Sequence, residues 1–102
     1  MRTYKHPKTE EIDLTRVLYA LSDPIRIEIV TTLAKQRMAT CAELDAGRPK
    51  SSMSHHFRAL REAGLIRTTP DGTSHINELR RADIDARFPG LLKSILKAAT
   101  EN

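Results

Sequence analysis

The stretch SSMSHHFRALREAGLI, residues 51–66, gathers three serines, two adjacent histidines and two arginines. Three kinds of chemistry use such groups: metal ligation by imidazole, proton transfer to a serine nucleophile, and recognition of an anionic partner by hydroxyls, imidazole and guanidinium. Zinc held on one helix needs ligands at i and i+3 or i+4. His55 and His56 are at i and i+1 and diverge. No Cys, Asp or Glu lies three or four residues before either, and Arg58, Ala59 and Leu60 follow. Adjacent Ser54 and His55 do not make a triad either, because a base must reach its nucleophile and be oriented by a third group. The chain is read as not an enzyme, with no metal and no cofactor.

Recognition of nucleic acid fits these residues better. Small hydroxyls near a helix start allow close approach to phosphate and base edges, and helix N-termini favour phosphate. Arg58 and His55 can donate to phosphate oxygens or to guanine N7 and O6. Between residues 48 and 67 the basic side chains are Arg48, Lys50, Arg58, Arg61 and Arg67, against Glu62 alone. The whole chain carries 17 Lys and Arg against 13 Asp and Glu, a net charge of +4. That balance selects an acidic partner, nucleic acid before an anionic membrane. A solvated basic face is the plain alternative.

Those residues need a scaffold, and 102 residues supply one small domain. Aromatics are 4% with no Trp, so Leu, Ile, Val and Ala must fill the core, which suits helices. The one cysteine, Cys41, excludes an internal disulfide framework and fits a reducing compartment. No apolar run is long enough to span a membrane. The opening MRTYKHPKT is basic without an apolar centre, unlike a secretory signal, so the chain is expected to be cytoplasmic.

Residues 1–9 read as a flexible basic arm carrying Arg2, Lys5 and Lys8, residues 10–99 as the folded domain, and residues 100–102 as a tail. Leu14, Val17, Leu18 and Leu21 recur at helical spacing over residues 10–21. Ser22 or Asp23 caps a second helix with Pro24 in its first turn, running to about Gln36 and burying Ile27, Val30, Leu33 and Ala34. Thr40 and Glu43 form a capping box for a short third helix with Leu44 inward, ending near Gly47. Pro49 and the serines open a fourth helix ending at Gly64. Two β-leaning runs around Pro70, Asp71 and Gly72 then read as a hairpin. A last helix over residues 82–100 is broken or restarted at Pro89. The fold class is mainly α with a small β-hairpin, in the order helix, helix, helix, helix, hairpin, helix: a winged helix-turn-helix.

At about 100° per residue, Met53, Phe57 and Leu60 share the core face of the fourth helix, while Ser51, Ser54, His55 and Arg58 lie on the opposite side. His56 falls roughly 60° from the core direction. It is expected at the core edge, one ring nitrogen bonded to backbone or a neighbouring helix.

The pieces ALSDPIRIEIVTTLA, TCAEL and SSMSHHFRALREAGLI, followed by a hairpin, resemble the ArsR (ArsR/SmtB) family, dimeric winged-helix repressors of bacteria, over about residues 14–79. The resemblance implies that the fourth helix, about residues 50–63, enters the major groove and that the wing, about residues 65–79, touches backbone or minor groove. Transferred by position, Ser51, Ser52, Ser54 and His55 match the DNA-facing helix start, with Lys50 beside them. Arg58 and Arg61 match basic positions near phosphates. Arg67, Asp71, Thr73 and Ser74 match the wing, where His75 reads as a surface or phosphate contact. The resemblance also implies a homodimer on a palindromic double-stranded operator, formed by the first and last helices. Leu14, Val17, Leu18, Leu21, Leu91, Leu92, Ile95 and Leu96 are the candidates, shared with the monomer core. Many members bind metal through Cys-x-Cys in the third helix. Here Thr40 and Ala42 occupy those positions and Cys41 the intervening one, so Cys41 reads as a packing residue. From Gly90 onward there is no His or Cys, and Asp83, Asp85 and Glu101 read as surface acids. A winged helix that binds another protein, and a repressor sensing redox or another effector, remain open.

Overall fold

A computed structural model describes residues 3–101 of the chain. Arg2 of the expected arm and Asn102 of the expected tail lie outside the described residues. A 3-10 turn, Thr9–Glu11, leads to α1, Leu14–Ala20. The expected single helix over 10–21 is therefore divided, and Ile12, in the break, is buried. Asp23 caps α2, Pro24–Gln36, accepting from the amides of Ile25 at 2.8 Å and Arg26 at 3.3 Å. Pro24 stands at the helix start, where a missing N–H costs nothing. The buried stripe of α2 is Arg26, Ile29, Val30 and Leu33, again i, i+3, i+4, i+7. Ile27 and Ala34, expected inward, are half-buried beside it.

A three-residue strand, β1 (Met38–Thr40), follows and was not foreseen. Thr40 ends it and caps α3, Cys41–Asp45: its hydroxyl accepts from the Glu43 amide at 3.1 Å, and Glu43 Oε1 accepts from the Thr40 amide at 2.8 Å. The expected capping box is present and Leu44 points inward. The long helix α4, Lys50–Ala63, buries Met53, Phe57, Leu60 and Ala63. Gly64 closes it at φ +84°, and a Cβ there would lie 2.6 Å from Ile12 Cγ1. Left-handed backbone and close approach together require glycine.

The wing is β2, Ile66–Asp71, and β3, Ser74–Leu79, paired antiparallel with Asp71 opposite Ser74. The two-residue connection is thus Gly72-Thr73, one position beyond the expected turn. Pro70 sits inside β2, tolerable because the order β1-β3-β2 makes β2 an edge strand. Fully buried Asn77, on the central strand, accepts from the Thr68 hydroxyl at 2.7 Å and donates to Ala39 O at 3.4 Å and Cys41 Sγ at 3.2 Å. One amide therefore ties all three strands to α3.

Helix α5, Arg81–Arg87, and helix α6, Leu91–Thr100, flank the break at Pro89 and Gly90. Three of the residues offered for subunit pairing belong to the monomer's own core: Val17, Leu21 and Leu92 are at most 8% exposed. Leu91, Ile95 and Leu96 are half-buried against that core. Leu14 and Leu18 stand 42% and 48% exposed, with Tyr19 at 60%. No helix among the described residues is long and apolar enough to cross a membrane.

Candidate nucleic-acid interface

The outward face of α4 follows from its inward one. With Met53, Phe57 and Leu60 committed to the core, Lys50, Ser51, Ser54, His55 and Arg58 are forced into solvent. Ser52 donates to Pro49 O at 3.0 Å, tightening the first turn. The side chains of Lys50, Ser51, Ser54 and His55 make no hydrogen bond among the described residues. Among the described residues Arg58 reaches only Glu62, Nε to Oε2 at 3.4 Å, and its side chain is 72% exposed. The first-turn amides of α4 have no side-chain cap, leaving donors at the serine-rich end.

Between α4 and the wing runs a groove of about 500 Å³ that brings together Lys50, Ser54, Arg58, Arg61, Thr73, Ser74 and His75. Residues 50–61 and 73–75 are thereby joined as a single concave surface. Ser51, Ser52, His55 and Arg67 do not line it. His55 instead borders a second cleft on the α1 side of α4, of about 430 Å³.

The groove also contains a residue that sequence reasoning missed. Tyr4, from the expected arm, stands under the Arg61 guanidinium, 4.3 Å from ring centroid to Cζ. Its hydroxyl is hydrogen-bonded to His75 Nδ1 at 3.0 Å. The neighbouring residues hold as well. His6 Nε2 accepts from the Thr68 amide at 2.9 Å, and Pro7 O accepts from Arg80 Nη1 at 2.7 Å. Tyr4, His6 and Pro7, within the expected arm, are therefore held against β3, β2 and Arg80. The only local signal was the tyrosine, since aromatics are scarce in solvated tails whereas proline is common there.

The electrostatics follow the packing. Burial lowers the pKa of Arg61, against the attraction of Tyr4, Cys41 and Glu62. Burial also lowers that of His6, reinforced by Arg67, Arg80 and Arg61. The hydrogen bond from Arg80 Nε, at 2.9 Å, and that from Thr9 hold Asp83 below the usual carboxylate range. Arg80, 3% exposed at its side chain, thus has its charge paired with Asp83 and its Nε and Nη1 engaged. Arg26 is equally buried, but its Nε and Nη1 have no partner among the described residues, and its guanidinium stacks on Tyr19 at 5.2 Å.

His56 takes the core-edge position expected of it, without the expected hydrogen bond. Its Nδ1 is buried without a partner among the described residues, and Asp23 Oδ1 stands 3.8 Å away. That oxygen is already used by the α2 amides. Burial works to raise the pKa of Asp23, but the backbone bonds from Arg26 and Ile25, then His56 and Arg26, bring it below the usual range. Cys41 is half-buried, its sulfur accepting from Asn77. Burial raises its thiol pKa, with Asn77 opposing, so the thiolate is suppressed. Among the described residues no three His, Cys, Asp or Glu side chains converge as a metal-binding group.

Comparison with known proteins agrees with this geometry. Residues 21–69, from the end of α1 to the middle of β2, match a helix-turn-helix domain family. An uncharacterized HTH-type transcriptional regulator of Bacillus subtilis, YceK, is 32% identical over 78% of this chain and 83% of its own. The arsenical resistance operon repressor of Staphylococcus xylosus is 30% identical over 72% of this chain and 71% of its own. The crystal structure of an ArsR family transcriptional regulator, RHA00566, superposes with a TM-score of 0.68 at 24% identity, covering 87% of this chain and 97% of that one. With its capped helix-turn-helix, exposed basic helix and wing, the chain belongs to the ArsR family of winged helix-turn-helix transcriptional regulators, DNA-binding proteins rather than enzymes.

Proposed function

We propose that this protein is a dimeric repressor, acting in the cytoplasm on a palindromic operator. The carrying observation is the outer face of α4: Lys50, Ser51, Ser54 and His55 are exposed and make no hydrogen bond within the described chain, while the opposite face is sealed in the core. Together with Ser52 they meet base edges and phosphates in the major groove. Arg58 holds phosphate or guanine. Arg67, Thr73 and Ser74 serve the wing's approach to the backbone, with His75 oriented by Tyr4. Arg61 sets the angle between helix and wing through Tyr4, and a phosphate contact by it requires leaving that ring.

Exposed Leu14, Leu18 and Tyr19 of α1, with Leu91, Ile95 and Leu96 of α6, supply the apolar surface for pairing. Two α4 helices then stand one DNA turn apart, roughly 34 Å. Repression is supported by the relative named as an operon repressor. Metal release through the third helix is not part of this reading, since Thr40 and Ala42 flank a packed Cys41.

Selection of bound duplexes from a random pool tests the proposal. A palindromic consensus, bound by a dimer with affinity falling steeply in salt, is the expected result. Equal binding to every sequence, or a monomer on DNA, overturns it.

A further inference from the structure

A recognition helix lying in a major groove about 12 Å wide is bordered by two phosphate backbones, one on each side. On α4 the two sides are distinct. The wing groove is reached from Lys50, Ser54 and Arg61, and the α1 cleft from His55, Ala59 and Glu62, roughly 130° further around the helix. Arg58 borders both. The wing attends to one backbone. On the other side stands Arg16, contributed by α1, facing the same cleft as His55 and Arg58. Arg16 is exposed and forms no ion pair among the described residues. The acid in the cleft is Glu62, which lies against Arg58 at 3.4 Å, and Glu11 and Asp13 flank Arg16 in the adjoining depression.

We propose that the cleft between α1 and α4 is a second phosphate site, in which Arg16, with Arg58 and His55, holds a phosphodiester of the DNA strand opposite the wing. The proposal rests on α4 being the recognition helix. It extends the DNA footprint to a helix otherwise assigned to subunit pairing. Three donors from two elements converge on a cleft large enough for a phosphate group. In the free protein Glu62 occupies Arg58, and an arriving phosphate displaces that carboxylate. Arg16 therefore adds affinity without reading sequence.

The test is affinity against salt for the full chain, on a selected operator and on a scrambled duplex. One lost phosphate contact in each subunit reduces the log–log slope of the dimer by about 1.8, which corresponds to about a sixtyfold loss in 0.1 M salt when extrapolated from 1 M. R16Q is expected to show that reduction on both duplexes, R16K to restore the slope, and E62Q to tighten binding to both. K50Q, on α4 but outside the cleft, serves as the control for the recognition helix. If K50Q weakens binding while R16Q leaves the slope unchanged, the cleft proposal falls alone. If neither variant changes binding, the reading of α4 falls and takes this one with it. Inorganic phosphate titrated into the DNA-free chain is expected to show no saturable binding at millimolar concentrations. Saturation abolished by R16Q would reassign the cleft to a free anion and overturn the DNA contact.

Discussion

The outer face of α4 and the seam beneath the wing both carry histidine and arginine, but their hydrogen bonds go to different places. On α4, the side chains of Ser51, Ser54 and His55 are exposed and make no hydrogen bond within the described chain. Along the seam, His6 accepts from Thr68, Tyr4 meets His75, Arg61 lies over Tyr4, and Arg80 joins Pro7 to Asp83. A polar side chain satisfied inside the fold stabilises that fold. One left for solvent has its hydrogen-bonding capacity available to a partner. The two regions touch at Arg61 and the wing tip, so the arm that closes the seam also fixes how the wing stands beside the helix.

The largest effect separating the two regions is expected at Arg80. Removing its guanidinium leaves Pro7 O and the Asp83 carboxylate without their partner, and Arg80→Ala should cost about 3 kcal/mol, measured by urea unfolding. On the other surface, His55→Ala and Arg58→Ala should change stability by no more than about 0.5 kcal/mol. Arg58→Ala should weaken DNA binding by about 1–3 kcal/mol at one base pair if it reads guanine, and evenly across sequences if it holds phosphate. Destabilisation by the α4 substitutions equal to that at Arg80 would erase the distinction. Intact DNA binding by Arg58→Ala would remove the functional half of it.

What was legible in the sequence follows the same division. The helix-turn-helix is built from local rules: the Thr40 and Glu43 box, Pro24 behind Asp23, Gly64 after Ala63, and the spacing of Met53, Phe57 and Leu60. Each is decided within a few residues. The seam is decided over long distances, since His6 meets Thr68 across 62 positions and Tyr4 meets His75 across 71. No periodicity announces such contacts. β1 was hidden for the same reason, because three residues become a strand only by pairing with β3. In α2 Val30 and Leu33 are inward as the spacing predicts, but the run IRIEIV offers apolar residues on alternate positions, so Ile29 rather than Ile27 is buried, and the burial of Arg26 runs against its charge. On α1 the leucines divide between two faces, which spacing alone does not sort: Leu21 enters the core and Leu14 and Leu18 do not.

A smaller effect tests how the seam works. Tyr4→Phe keeps the ring under Arg61 and removes only the bond to His75. The expected loss is about 1 kcal/mol or less in stability. The wing amides near His75 should exchange faster with deuterium, while those in the middle of α4 keep their protection. If the wing is unchanged, Tyr4 acts by packing alone, and the coupling of arm to wing rests on His6 and Pro7.

The smallest expected effect is that of pH on His6. Its Nε2 accepts from the Thr68 amide, so the imidazole must be neutral, with its proton on Nδ1. A second proton would set N–H against N–H. Burial, then Arg67, Arg80 and Arg61, lower its pKa from the ordinary 6.5. The folded chain therefore binds less proton at this site than the unfolded chain does. The contribution of the contact is complete above pH 6.5 and is lost as pH falls through the lower, folded value. Asp83, nearby, changes charge only in a more acidic range, since its own pKa lies below the usual 3.8. Hydrogen exchange at the Thr68 amide, followed from neutral pH downward and corrected for the intrinsic rate, should show protection declining below pH 6.5 in the native chain and a flat profile in His6→Asn. A decline of the same size in both chains would place the acid sensitivity outside the arm, and the seam would then owe its closure to Tyr4 and Arg80 rather than to the imidazole.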